Sequence, residues 1–227
     1  MSKFIFSLLL VCSFLSVFAQ ADTEDSVTQK STIKYHQLRF NFDAAKLLNN
    51  SLVDNVKIYE AGLDYYLNNE LYGVAEFGAG TSNIDYPDLK YKSSNSFVRL
   101  GVDKTLFERK KPNDWGMAFI GCRYGLGFVK RNVALYTTDD GFGGITSGSI
   151  SSSDFTAHWF ELTGGMRIEL FKNTFAGWNV RFKFLLNQKS FGDLKPQSIA
   201  GYGAAENGTV FDYNFYLSYA IRWSSKK

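Results

Sequence analysis

Phe211-Asp212-Tyr213-Asn214-Phe215-Tyr216-Leu217-Ser218-Tyr219-Ala220-Ile221-Arg222-Trp223 alternates from end to end. Every odd position is aromatic or large and apolar. Among the even ones, Asp212, Asn214, Ser218 and Arg222 are polar, with Tyr216 and Ala220 between them. Such a period of two marks a β-strand with two unlike faces. The run exceeds the usual strand of a soluble domain, about 5–6 residues. It suits a tilted strand that crosses a bilayer, which needs about 9–11.

The same alternation recurs upstream at 34–47, 56–66, 71–78, 96–106, 115–129, 156–170 and 175–188, which with 211–223 predicts eight strands. The connections 67–70, 107–114 and 171–174 are short. Those at 79–95, 130–155 and 189–210 are long and rich in Gly, Ser, Asn and Asp. Short turns at one end and long loops at the other are expected of an outer-membrane barrel. Only 48–55 departs, being short where a long loop is due. Pro87, Pro112 and Pro196 all fall in connections, as proline must in a closed sheet. No repeat of solenoid or propeller length is present.

The first residues read as an address. Met1-Ser2-Lys3 is a short basic start, 4–18 is mostly apolar, and Ala19-Gln20-Ala21 is a small-x-small cleavage pattern. Residues 1–21 are expected to be a secretory signal peptide and 22–33 a flexible periplasmic lead-in, leaving 34–227 as the barrel. Leu10-Val11-Cys12 resembles a lipoprotein cleavage site except that the residue before the cysteine is not small. Of 25 basic residues only Lys3 leaves with the leader, so 24 face 22 acidic ones. That balance gives no reason to expect nucleic acid as a partner. Cys122 is then the only thiol and has no internal disulfide partner.

Alternation alone does not separate a membrane barrel from an inside-out relative, a soluble lipocalin-like barrel with an apolar interior. The kind of charge does. Arg39, Glu60, Asp64, Glu76, Arg99, Asp103, Arg123, Glu161, Arg167, Glu169, Arg181, Lys183, Asp212 and Arg222 share the polar parity of their strands, as does Asp43. Six of the eight arginines lie there, whereas most lysines lie in loops, strand ends or tails. A solvated surface favours lysine, and a narrow lumen of paired charges favours the bidentate guanidinium. The polar parity also carries Gly62, Gly101, Gly121, Gly125 and Gly127, as crowding inside a small barrel would require. The charges are therefore expected inside, as an ion-paired filling of a lumen that eight strands leave just wide enough for side chains. Phe, Leu, Val and Tyr face lipid. Tyr59, Tyr65, Tyr124, Trp115, Trp178, Tyr213, Tyr219 and Trp223 are expected towards strand ends or on outer faces, several in interfacial girdles. Tyr72 and Trp159 have inward parity.

Candidates for chemistry are few. A Ser153–Asp154–His158 grouping is conceivable as an enzyme site near the outer rim. His158 has lipid-facing parity, however, and the His-x-Ser spacing of lipid A deacylases is missing, since position 160 is Phe. There is no His-x-x-x-His, no cysteine pair and no complete calcium loop around Asp139-Asp140-Gly141, so no metal or cofactor is expected. Gly141-Phe142-Gly143-Gly144 lacks the Lys-Ser/Thr and helix of a phosphate loop.

Four segments carry a resemblance: Phe97-Val98-Arg99-Leu100-Gly101-Val102-Asp103, Gly121-Cys122-Arg123-Tyr124-Gly125-Leu126-Gly127, Ala157-His158-Trp159-Phe160-Glu161-Leu162 and Gly177-Trp178-Asn179-Val180-Arg181-Phe182-Lys183. They resemble an uncharacterised family of Bacteroidetes outer-membrane barrel proteins, from about Arg39 to the C-terminus. The resemblance implies an outer-membrane address and eight strands. It transfers no catalytic or binding residue. One departure is that the last aromatic, Trp223, is followed by Ser224-Ser225-Lys226-Lys227, where outer-membrane barrels usually end on the aromatic.

The sequence thus predicts an all-β, eight-stranded antiparallel up-and-down transmembrane barrel, monomeric and without enzymatic activity. Its expected partners are outer-membrane lipid, the barrel-assembly machinery during insertion, and a surface ligand of the loops 79–95, 130–155 and 189–210. A lipid-modifying enzyme, a narrow channel and a soluble lipocalin-like barrel stand as alternatives.

Overall fold

The computed structural model describes residues 33–52, 55–109, 114–139, 141–142, 144–191 and 195–226. The expected signal peptide 1–21, the lead-in 22–33 save its last residue, Cys12 and Pro112 lie outside the described residues. Lys34–Ser225 forms one compact unit.

In chain order the elements begin with β1 (Ile33–Asp43), helix α1 (Ala44–Leu52), β2 (Val56–Asn68), β3 (Leu71–Asp85) and β4 (Leu89–Thr105). Then come β5 (Met117–Arg131), β6 (Ala134–Asp139), β7 (Ile145–Ile150), β8 (Ser153–Phe171) and β9 (Thr174–Leu185). A 3₁₀ turn (Gln188–Phe191), the two-residue strands β10 (Ser198–Ile199) and β11 (Gly203–Ala204), and β12 (Thr209–Lys226) complete it. Eight of the strands form a ring in the order β3-β2-β1-β12-β9-β8-β5-β4, which the antiparallel β3–β4 pairing closes. The molecule is a closed eight-stranded antiparallel barrel.

Closure fixes what the pleat does with each side chain. Along β9, Arg181 and Lys183 are buried at 0% and 1% exposure, while Phe182 between them is 48% exposed. Along β12, Asn214, Tyr216, Ser218 and Ala220 are buried, and Phe211, Tyr213, Phe215, Leu217, Tyr219, Ile221 and Trp223 are exposed. The polar parity points inward throughout the wall. Cys122 is half-buried on the outward parity of β5.

At one end the turns are tight. Asn69 and Glu70 have φ of 50° and 58°, the double left-handed conformation of a two-residue type I′ hairpin. At the other end the long connections are structured, which corrects their reading as loops. The alternation of β3 and β4 continues to Asp85↔Lys90, so 79–95 is a β-ribbon rather than a loop. Its inward residues Ile84 and Tyr91 pack with Ala134 of the β6–β7 hairpin, which takes up most of the expected loop 130–155.

Two further boundaries differ from expectation. The strand expected over 34–47 stops at Asp43, because Asp43 Oδ1 accepts from the Lys46 N–H (3.1 Å) and so caps the helix Ala44–Leu52. The strand expected over 175–188 ends at Leu185, ahead of the 3₁₀ turn. Trp115, expected towards a strand end or on an outer face, lies just ahead of β5 and points inward, 2% exposed.

Candidate functional site

The lumen is filled in three layers. At the tight-turn end, Tyr66, Tyr72, Trp115, Met117, Phe119 and Phe175 form an apolar cluster. Arg109 lies over Tyr66 and Trp115, 4.5 and 4.2 Å from their centroids, and its Nε donates to Glu70 (2.8 Å). This end is closed by aromatic rings and a stacked guanidinium.

Above it lies a continuous ionic layer. Arg39 pairs with Asp64 (2.9 Å), Arg167 with Asp64 and Asp103, and Arg123 with Asp103 (2.8 Å) and Glu76 (3.7 Å). Arg99 meets Glu60, Glu76 (3.0 Å) and Glu161 (3.2 Å). Arg181 grips Glu76 with both terminal nitrogens (2.8 and 2.7 Å) and reaches Glu161 (3.1 Å). Lys183 holds Asp212 (2.5 Å), and Arg222 holds Glu169 (2.7 Å) nearer the tight-turn end. Each residue of the expected lumen set has an opposite charge within reach. The three half-buried members are Glu169, Asp212 and Arg222, with side chains 22–26% exposed.

The ionic layer also holds a cation that the strand parity does not assign to it. Parity counts seven basic residues (Arg39, Arg99, Arg123, Arg167, Arg181, Lys183, Arg222) against eight acidic (Asp43, Glu60, Asp64, Glu76, Asp103, Glu161, Glu169, Asp212). The eighth cation is Lys46, which a continued β1 would have aimed at lipid. The turn of α1 instead carries it inward to Glu60 (2.5 Å), Asp212 (3.5 Å) and Asp43 (3.7 Å). Among the described residues of the ionic layer, eight cations then meet eight anions, while Arg131, also buried on the inward parity, lies beyond that layer over Phe155 (5.1 Å). An unpaired buried charge costs several kcal/mol, so this balance is what makes a charged filling tolerable.

The third layer corrects the expectation that 189–210 is a free surface loop. Phe191, Ile199, Ala200, Tyr202 and Ala205 are buried at 0–1% exposure against Phe97, Val129, Ala157 and Trp159 of the wall. Its backbone caps the ionic layer: Arg99 Nη1 and Lys183 Nζ both donate to the Gly201 carbonyl (3.0 and 2.7 Å). Close packing needs missing side chains. A Cβ on Gly125 would come within 2.1 Å of the Trp159 indole, and one on Gly201, whose φ is +80°, within 2.6 Å of the Phe97 ring. Tyr202 donates its hydroxyl to the Asn207 carbonyl (2.7 Å), and burial pushes its pKa up to about 12.

Ser153, Asp154 and His158 are not brought together. Ser153 and His158 are five residues apart on one extended strand, roughly 17 Å, and have opposite parity. His158 instead shares a 3.0 Å hydrogen bond with the Tyr124 hydroxyl on the outer surface. His36 stacks on Tyr65 and Trp223 (centroids 6.3 and 5.5 Å away), an aromatic group on the outward face at the tight-turn end. Among the described residues no group of three or more His, Cys, Asp or Glu is arranged to hold a metal ion. The lumen contains a cavity of about 10 Å³, room for one water-sized group, lined by Asn41, Asp43, Glu60, Ala61, Gly62, Glu76 and Tyr216.

Fold and filling together define a small closed β-barrel with its charges inside and its aromatic and aliphatic residues outside. The chain belongs to the family described as Domain of unknown function (DUF6048), which matches residues 1–226. No curated protein matches it. Among solved structures it is similar to Ail, the attachment invasion locus protein of Yersinia pestis (9% identity over 85% of this chain and 100% of that one, TM-score 0.40). It is also similar to Neisserial surface protein A (12% identity, 84% and 97%, TM-score 0.36). A third is the N-terminal β-barrel domain of Pseudomonas aeruginosa OprF (9% identity, 83% and 97%, TM-score 0.32).

Proposed function

We propose that this chain is an integral barrel of a bacterial outer membrane, of the Bacteroidota type, that does not conduct and has no enzymatic role. It is a rigid stub that displays the β3–β4 ribbon and the β6–β7 hairpin to surface partners. The observation that carries this reading is the inverted distribution of side chains. Phe40, Phe77, Leu100, Leu162, Phe182, Leu217 and Ile221 are 46–61% exposed around the ring, while Arg39, Arg99, Arg123, Arg167 and Arg181 are buried. A soluble lipocalin-like barrel would place these groups the other way round. The three-layer filling supports the absence of conduction, and the separation of Ser153 from His158 removes the one grouping that favoured an enzyme.

The test is direct. Purified protein is expected to need detergent, to show a β-dominated far-UV spectrum, and to migrate differently on gels before and after heating. A water-soluble monomer contradicts the membrane reading. Planar-bilayer recordings are expected to show no discrete steps, and reproducible steps contradict the closed lumen.

A further inference from the structure

β1 stops partway up the wall. Its pairing with β2 ends at Phe42↔Ala61, yet β2 runs on from Glu60 to Val56. On the other side, β12 continues past Asn214, whose amide donates to Asp43, up to Thr209. Helix α1 stands in the place a longer β1 would have taken. Asn50 Nδ2 donates to the Ile58 carbonyl (2.7 Å), and the Ile58 N–H donates to Asn50 Oδ1 (2.8 Å). One side chain thus satisfies backbone groups that the missing strand would have paired. Lys46, one turn before Asn50, enters the lumen. Leu48 and Leu52, two residues on from each, turn away from the barrel at 69% and 83% exposure. The outward residues flanking this seam are Phe42, Tyr59 and Tyr213, all 40% or more exposed.

Behind the seam the chemistry is that of hydrogen-bond acceptors. The small cavity touches Asn41, Asp43, Glu60 and Glu76. Asn41 and the fully buried Asn214 each keep a buried Oδ1 with no hydrogen-bond partner. With Asp212, three carboxylates converge on the Lys46 ammonium. A neutral or anionic group in place of Lys46 would leave the lumen one cation short. Another primary ammonium preserves the balance and supplies three donors to the orphan oxygens.

We propose that this seam is a lateral binding site for the primary ammonium of a membrane amphiphile, with Lys46 as the built-in group it displaces. The proposal rests on the membrane reading above. Outward movement of α1 carries Lys46 off Glu60, Asp212 and Asp43, and the amphiphile's headgroup enters sideways while its chain stays among Phe42, Tyr59 and Tyr213.

The probe is dodecylamine, titrated calorimetrically into the folded barrel in a neutral detergent, with dodecanol and ammonium chloride as controls. Lys46→Met is expected to bind dodecylamine at least ten times more tightly than the native chain, and adding Glu60→Gln is expected to abolish that gain. Equal affinity of Lys46→Met and the native chain overturns the proposal. So does dodecanol binding as well as the amine, which is mere partition, or ammonium chloride competing fully, which is a small-ion site. Should Lys46→Met not fold, the otherwise native chain is tested with Cys122→Ser and a fluorophore on Leu52→Cys. Its emission is expected to shift with dodecylamine and not with dodecanol, and no shift refutes the site. A detergent-dependent barrel that ignores dodecylamine overturns the seam site alone, whereas a water-soluble chain overturns the membrane reading first.

Discussion

Replacing Arg181 with Leu removes the most heavily bonded cation in the lumen. Its guanidinium is fully buried and donates to both oxygens of Glu76, to Glu161 (3.1 Å), to the Tyr216 hydroxyl (3.2 Å) and to Asn179 (3.3 Å). Leucine leaves Glu76 to Arg99 and Arg123, and Glu161 to Arg99 and the Trp159 indole N–H (2.6 Å). The layer then carries one uncompensated negative charge at the centre of the barrel. Breaking a buried pair in this way costs about 3–5 kcal/mol. Neighbouring Phe182 is 48% exposed on the outer face, and Phe182→Leu exchanges one lipid-facing apolar group for another. Its expected cost is below about 1.5 kcal/mol, that of a mild hydrophobic swap. Urea unfolding in detergent micelles, followed by tryptophan fluorescence, measures both. Arg181→Leu combined with Glu76→Gln is expected to recover part of the loss. If Phe182→Leu were the costlier change, or if the double variant were no better than Arg181→Leu, the ion-paired filling would be refuted.

Two further outcomes follow from the closure at the long-loop end. Gly125→Val drives a side chain into the Trp159 ring and is expected to destabilise the barrel by about 1–3 kcal/mol through overpacking. The Trp159→Ala background is expected to relieve it, and unfolding midpoints of the two single variants and the double variant decide. Tyr202, with its pKa raised to about 12 by burial, stabilises the inserted loop fully below the unfolded value near 10, and that contribution is lost as pH rises from 10 to 12. Difference absorbance of tyrosinate between the native chain and Tyr202→Phe is expected to show the missing phenol ionising well above pH 10, and ionisation near pH 10 contradicts a buried Tyr202.

The wall was legible in the sequence because a pleat has one simple period. Across the middle of β8, β9 and β12 the charged residues share one parity and large apolar residues fill the other, so alternation gave both strand and face. What escaped was chain that leaves the wall. Ala44-Ala45-Lys46-Leu47 is too short to mark the end of the alternation by itself. The signals for helix were the capping Asp43 and the adjacent leucines Leu47-Leu48, which break the period of two. In the same way Ile199-Ala200-Gly201-Tyr202-Gly203-Ala204-Ala205 is too apolar for a solvated loop, and its burial against Trp159 explains why. Which arginine meets which carboxylate was not legible, because Arg167 with Asp64 and Arg181 with Glu76 are joined across the lumen, 103 and 105 residues apart. Parity assigns a face and leaves the partner on the far wall open.

The central claim is that the charged parity faces the lumen and the aromatic parity faces hydrocarbon. Single cysteines at Val180, Arg181, Phe182, Lys183 and Phe184 in a Cys122→Ser background, labelled with a fluorophore and reconstituted in bilayers of brominated lipid, test it most directly. Quenching by the brominated chains is expected to be strong at 180, 182 and 184 and weak at 181 and 183. Strong quenching at 181 and 183, or none at any of the five, would contradict the account.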